Sequence, residues 1–103
     1  MNKAIFTEEA NQDLREAVLW YENQQSGIGK KLAIEVIEKI HKLEIKPDAY
    51  SADDKGLRKT SLNSFPYFIY YAFNKSPLVL VIAIWHKSRL KDIVDIRAIN
   101  ISK

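Results

Sequence analysis

The sequence contains no cysteine, which excludes disulfides, thiolate zinc sites and a cysteine nucleophile together. It also has no apolar run of the roughly 18 residues that a membrane-spanning helix needs. The longest such run, Leu78 to Trp85, is strand-sized, so no membrane partner is expected. The N-terminus turns acidic at Glu8 and Glu9, so no signal-peptide core is expected, and a reducing, cytoplasmic setting is the natural expectation. Glycine is scarce. Gly27-Ile28-Gly29 lacks both the preceding buried strand and the third glycine of a dinucleotide fingerprint, and no other motif calls for a cofactor. The two histidines, His41 and His86, stand far apart with no clustered carboxylates, which argues against a metal site.

Acid is nearly missing from the second half. Residues 1–54 carry seven Lys/Arg against eleven Asp/Glu, whereas residues 55–103 carry nine Lys/Arg against only Asp92 and Asp95. Such a basic half points to an anionic partner, either nucleic acid or the acidic segment of another protein. The alternative is that the two halves attract each other within the fold. The remaining composition, 47% hydrophobic and 28% charged over 103 residues, is that of one globular domain spanning residues 1–103.

A short apolar stretch at residues 3–6 ends at Thr7, an acceptable N-cap, with Glu8 and Glu9 placed where a helix dipole favours carboxylates. Ala10, Leu14, Ala17, Val18 and Tyr21 recur at helical spacing and predict a first helix over 8–24. Gly27 and Gly29 break the pattern. Leu32, Val36, Ile37, Ile40 and Leu43 then define a second helix ending before Pro47. The short connection makes the pair an antiparallel helical hairpin. After a loop over 46–56 the period becomes extended, with strands expected over 57–62, 67–73 and 78–85 and turns at 63–66 and 74–77. The expected fold is α+β: a short N-terminal strand, a helical hairpin, then a three-stranded antiparallel meander with the helices on one face.

The last two strands are apolar on both faces. Strict alternation sets Ile69 and Tyr71 opposite Phe68 and Tyr70, and Leu80, Ile82 and Ile84 opposite Val79, Val81 and Trp85. Two helices cover one face of a small sheet, so the other is expected to be covered by Ile93, Ile96, Ile99 and Ile101 of the C-terminal segment, or by a second chain. Glu22, Glu35 and Glu38 read as solvated helix surface, and so does His41. His86 follows the apolar strand and opens His86-Lys87-Ser88-Arg89-Leu90-Lys91; capping or packing is its first reading, ahead of catalysis. Lys55, Arg58 and Lys59 at the first meander strand, and Lys87, Arg89, Lys91 and Arg97 after the last, are expected to converge into one cationic patch. With Tyr67, Tyr70 or Tyr71 beside it, such a patch suits phosphate contact and base stacking, or an acidic peptide.

The order of these residues resembles the ParE/RelE superfamily of toxins. The resemblance rests on Asp13-Leu14-x-x-Ala17-x-x-Trp20-Tyr21-Glu22-x-Gln24 with Gly27-Ile28-Gly29. Further along it rests on Leu57-Arg58-Lys59, Phe65-Pro66-Tyr67-x-Ile69-Tyr70-Tyr71 and Val81-Ile82-Ala83-Ile84-x-His86-x-x-Arg89. It runs from about residue 3 to 97, and it implies a toxin of a type II toxin–antitoxin pair, held by a cognate antitoxin in a hetero-oligomer. RelE-like members cut mRNA on the ribosome; ParE-like members bind DNA gyrase without a recognised catalytic triad. The strand that commonly carries an Arg in the nucleases reads Phe68-Ile69-Tyr70-Tyr71 here, and the Ala83-Ile84-x-His86-x-x-Arg89 ending is closer to the ParE-like branch. On that branch Arg58, Tyr71, His86 and Arg89 are the expected contacts to target or antitoxin. A nuclease would instead draw on Lys59, Arg58, His86 and Arg89, with Tyr71 as a further candidate.

Overall fold

Thr7 ends the first strand, β1 (Lys3–Phe6), and its hydroxyl accepts the Ala10 N–H at 3.1 Å, starting helix α1 (Glu8–Gln24) with two acids in its first turn. A computed structural model describes residues 2–73 and 78–101. Helix α2 (Ile28–Ile45) follows a tight turn at Gly27, whose φ of 89° lies in the left-handed region that a glycine adopts without strain. Gly27 offers no capping side chain, so Glu22 reaches across the turn. Its carboxylate accepts the N–H of Gly27 at 2.8 Å and of Gly29 at 2.9 Å. These amides, Gly27 foremost, lower the pKa of Glu22 from its ordinary value against the opposing effect of desolvation. Glu35 likewise accepts the amides of Asn63 and Ser64. Glu22 and Glu35 are therefore tethers between elements, which corrects the reading of both as solvated surface. Their partners are backbone amides, which residue identity does not reveal.

Pro47 opens a single 3-10 turn (Pro47–Ala49). Asp53 then organises the loop, accepting the amides of Lys55 at 2.8 Å and Leu57 at 3.0 Å with one carboxylate oxygen. Strands β2 (Leu57–Ser61), β3 (Tyr67–Phe73) and β4 (Leu78–His86) form the expected antiparallel meander. The expected turn at 74–77 lies outside the described residues. β1 adds to this meander beside β4, in parallel from Lys3↔Leu78 to Phe6↔Val81, giving a mixed sheet of order β1-β4-β3-β2. Among the described residues, β1 does not extend past Val81, so beyond it no strand pairs with that edge of β4.

The pairing of β3 with β4 shifts between Tyr70↔Ala83 and Tyr71↔Val81, leaving Ile82 as a bulge. A bulge breaks the period of two. Ile84 therefore joins Val79, Val81, Ile69 and Tyr71 beneath the hairpin, while Trp85 joins Ile82, Ala83 and Tyr70 on the second face. Strict alternation had placed Ile84 and Trp85 the other way round.

A third helix, α3 (Asp92–Ile101), packs on this second face. It buries Val94 and Ala98, one turn apart, whereas Ile93, Ile96, Ile99 and Ile101 are between 42% and 57% exposed. The expected cover by these four isoleucines is thus corrected. Polar anchors set the roll of the helix. Arg97 Nη1 donates to Asp13 of α1 at 2.7 Å and to the Ile82 carbonyl at 3.1 Å, and Lys91 binds Asp53 at 2.7 Å. With those contacts made, the small Ala98 is turned to the sheet and the isoleucines are turned away.

Candidate binding site

Arg58 and Tyr71 are direct cross-strand partners on the hairpin side of the sheet. Tyr71 is 0% exposed, and its phenol donates to the Pro47 carbonyl at 2.7 Å. Burial pushes that phenol up to about 12, with the Arg58 cation pulling the other way. Arg58 donates to the Tyr50 carbonyl and buries its Nε without a partner. Both residues thus tie the loop after α2 to the sheet, and Tyr71 presents no surface to a partner. Lys59, one residue on, projects from the opposite face, its Nζ 4.3 Å from the centre of the Phe68 ring.

His86 sits at the far end of β4, paired with Tyr67 and edge-on to its ring at 5.1 Å. Arg58 pairs with Tyr71 and His86 with Tyr67, so the two are separated by four residues of β3, about 13 Å along the strand. The expected patch forms only in part: Lys59, Lys87 and Arg89 meet over the Phe68–Trp85 pair, whereas Arg58 is kept apart for a topological reason. β2 and β4 are both antiparallel to β3 and hence parallel to each other, so the start of one and the end of the other lie at opposite ends of the sheet. Lys55 stays with Arg58 at the first end. Lys91 is engaged by Asp53 and Asp95, and Arg97 by Asp13. Two of the expected free cations are therefore internal ties.

Around His86 the chain turns tightly. Nδ1 accepts the Ser88 amide at 3.0 Å and lies 2.7 Å from the Ser88 hydroxyl, while the Arg89 amide donates back to the His86 carbonyl at 3.0 Å. In a neutral ring this leaves the proton on Nε2, an inference from the hydrogen bonds. No carboxylate orients the ring among the described residues, so Ser88 and His86 lack the third member of a hydrolytic triad. A shallow cleft of about 200 Å³ lies beside them, lined by Asp13, Glu16, Trp20, Tyr67, His86 and Arg89. Burial raises the pKa of the Tyr67 phenol, helped by Tyr21 and opposed by Arg89. Trp20 is 58% exposed and meets Tyr21 edge-on at 4.9 Å, so aromatic surface continues from α1 to His86.

The family described as ParE toxin of type II toxin-antitoxin system, parDE, matches residues 4–91. The chain belongs to the ParE toxin family. A solved chain described as "Chromosomal ParDE TA system from P. aeruginosa" has the same fold, with a TM-score of 0.71 and 17% identity over 84% of this chain and 95% of that one. No match was found among the curated proteins. The family match ends at Lys91, immediately before α3.

On the second face of this ParE-family sheet stands Tyr70, whose phenol pKa is raised by burial first and is also sensitive to the charges of the bonded pair Lys91 and Asp53. On one side of it lies a concavity of about 280 Å³ lined by Ile5, Leu57, Leu78, Leu80, Ile82 and Ile101, with Lys55 at its rim. On the other side Lys59 and Lys87 flank the Phe68 ring. Sequence reasoning missed this division; it expected Lys59 and Lys87 in one patch but not on one ring. The signal was present, since antiparallel pairing of Phe68 with Trp85 brings both lysines to one ring. His41 is exposed as expected, with Nδ1 3.1 Å from Glu44. Among the described residues no group of three potential ligands could hold a metal ion, and no helix is long and apolar enough to cross a membrane.

Proposed function

We propose that this ParE-family toxin acts by binding DNA gyrase rather than by cutting RNA, and that an acidic cognate antitoxin silences it in a hetero-oligomer. One observation carries the choice of mechanism: the residues a nuclease would need do not share a site. Arg58 lies under the hairpin with its guanidinium on the Tyr50 carbonyl, on the face away from Lys59 and Arg89 and four residues of β3 from His86. Phosphoryl chemistry needs its acid, base and charge-stabilising groups within hydrogen-bond reach of one reacting phosphate. This set cannot meet around one. A binding toxin needs only surface, and the exposed band of Trp20, Tyr67, His86 and Arg89 supplies an aromatic and cationic one of the kind that anchors protein interfaces.

The apolar concavity beside α3 supports the antitoxin half of the reading. Ile5 and Leu78 are more than 40% exposed at its rim, and a disordered acidic segment that folds on binding would bury them next to Lys55. Gyrase as target would make the cytoplasm the site of action, and the family match over residues 4–91 supports reading residues 1–103 as one toxin domain. Incubating the purified chain with gyrase, ATP and plasmid tests the proposal. Accumulation of cleaved DNA–gyrase complexes is expected. Unimpaired supercoiling together with cleavage of mRNA on added ribosomes would overturn it.

A further inference from the structure

The cations of the basic half divide sharply by what they touch. Lys55, Lys91 and Arg97 contact carboxylates, whereas no carboxylate comes within 4 Å of Lys59, Lys87 or Arg89 among the described residues. Lys59 stands on β2 and the other two on the turn after β4, yet all three meet the same pair of rings. Phe68 of β3 and Trp85 of β4 are direct cross-strand partners on the second face of the sheet. Lys59 Nζ lies 4.3 Å and Lys87 Nζ 5.1 Å from the centre of Phe68, and the Arg89 guanidinium lies 3.7 Å from the centre of Trp85. Cation–π contact fixes long side chains that would otherwise be free in solvent. The charge is therefore both unneutralised and preorganised. Asp53 and Asp95, in turn, are both held by Lys91.

We propose that Lys59, Lys87 and Arg89, mounted on the Phe68–Trp85 pair, form a docking face for the phosphate backbone of duplex DNA. Three features select this ligand. The rings serve as pedestals beneath the cations: Trp85 is buried and Phe68 lies under two ammonium groups. Of this pair neither ring is offered to an unpaired base, so the stacking that drives single-strand binding is missing here. No helix or ribbon projects from this part of the face to enter a groove, so the contact reads charge and not sequence. Finally, none of the three lines the apolar concavity, whereas Lys55 does, so an acidic segment that needs apolar burial is directed there and not here. A duplex presents one charge per roughly 1.7 Å of axis, enough to engage all three cations at once. If gyrase is the target, this face would contact the DNA that the enzyme holds. The inference itself stands on the surface alone, and its test contains no gyrase.

The test is fluorescence anisotropy of the purified chain with a labelled duplex of about 20 base pairs across a salt series, against a single strand of equal length and a polyglutamate peptide. Three phosphate contacts give a log–log salt slope of about −2.7, roughly −0.9 for each cation. Lys59→Gln, Lys87→Gln and Arg89→Gln should each remove about one third of that slope and weaken binding roughly eightfold at 0.1 M salt. Lys30→Gln, on the exposed side of α2, should change neither. The inference is overturned by an absence of duplex binding, by a slope that survives the triple replacement, or by tighter binding of the single strand or of polyglutamate.

Discussion

Arg97 of α3 and Asp13 of α1 meet through two hydrogen bonds, of 2.7 and 3.1 Å, across the open edge of β4, with side chains only 16% and 8% exposed. The same Asp13 carboxylate accepts the Ile84 amide at 3.1 Å, and Arg97 also donates to the Ile82 carbonyl. One ion pair thus closes the sheet edge that β1 leaves uncovered and fixes the third helix. Replacing Arg97 with Met strands a buried carboxylate, and breaking such a pair costs on the order of 3 kcal/mol. Urea denaturation should show that loss, and the double variant with Asp13→Asn should recover more than half of it. A loss below about 1 kcal/mol would mean that α3 is held by its apolar contacts instead.

The helical hairpin depends on Gly29 for closeness. A Cβ added there would lie 2.4 Å from the Val18 carbonyl oxygen, a backbone atom that cannot swing aside, and 2.9 Å from the Glu22 carboxylate that caps α2. Gly29→Ala is expected to destabilise the fold by about 2–3 kcal/mol through forced separation of the helices. Thermal melting checks this. Retention of the wild-type melting temperature would show that the helices can move apart freely.

Acid should loosen the loop before β2. Desolvation alone would raise the Asp53 pKa, but the hydrogen bond from Lys91 and the amides of Leu57 and Lys55 outweigh it and hold the carboxyl at about 2, against an ordinary 3.8. A carboxyl depressed by folding contributes its stability in full above the unfolded value and loses it as pH falls through the folded one. The window is therefore pH 4 to 2, and the contribution roughly 1 kcal/mol after allowance for solvent screening. In denaturation midpoints measured through that window, Asp53→Asn should be less stable than the parent at neutral pH and should flatten the acid limb. Parallel pH profiles for the two proteins would refute the role.

Much of the architecture was legible because hydrophobic period and glycine placement report local structure directly: Thr7 with its acids, Gly27, Pro47 and the aromatic run at Tyr67–Phe73 all fall where the elements begin, turn or run. What escaped was non-local. Nothing in Lys3–Phe6 says that it pairs in parallel with Leu78–Val81, and nothing in Leu78–His86 announces the bulge at Ile82 that moves Ile84 and Trp85 to opposite faces. The third helix was read as apolar cover because its isoleucines are conspicuous, whereas Arg97 and Lys91 determine which side meets the sheet. For the candidate site, His86 and Arg89 were brought together by nearness in the chain. Arg58 and Tyr71 looked like surface residues only because their partners, the Tyr50 and Pro47 carbonyls, are backbone groups.

Tyr71 separates a structural role from a contact role. Tyr71→Phe removes the bond to the Pro47 carbonyl and leaves a buried acceptor unpaired, at a cost of about 1–2 kcal/mol. Stability should fall by that amount while growth arrest on induction is retained at matched protein levels. Loss of arrest in a variant that remains folded would return Tyr71 to the contact surface.

The most direct test of the central claim is to induce this chain alone, under tight control, in a bacterial host and follow chromosomal DNA and mRNA together. DNA breaks with an induced damage response and intact transcripts are expected. Cleaved transcripts over intact DNA would contradict the account and make the Lys59, Arg58, His86 and Arg89 set an active site after all.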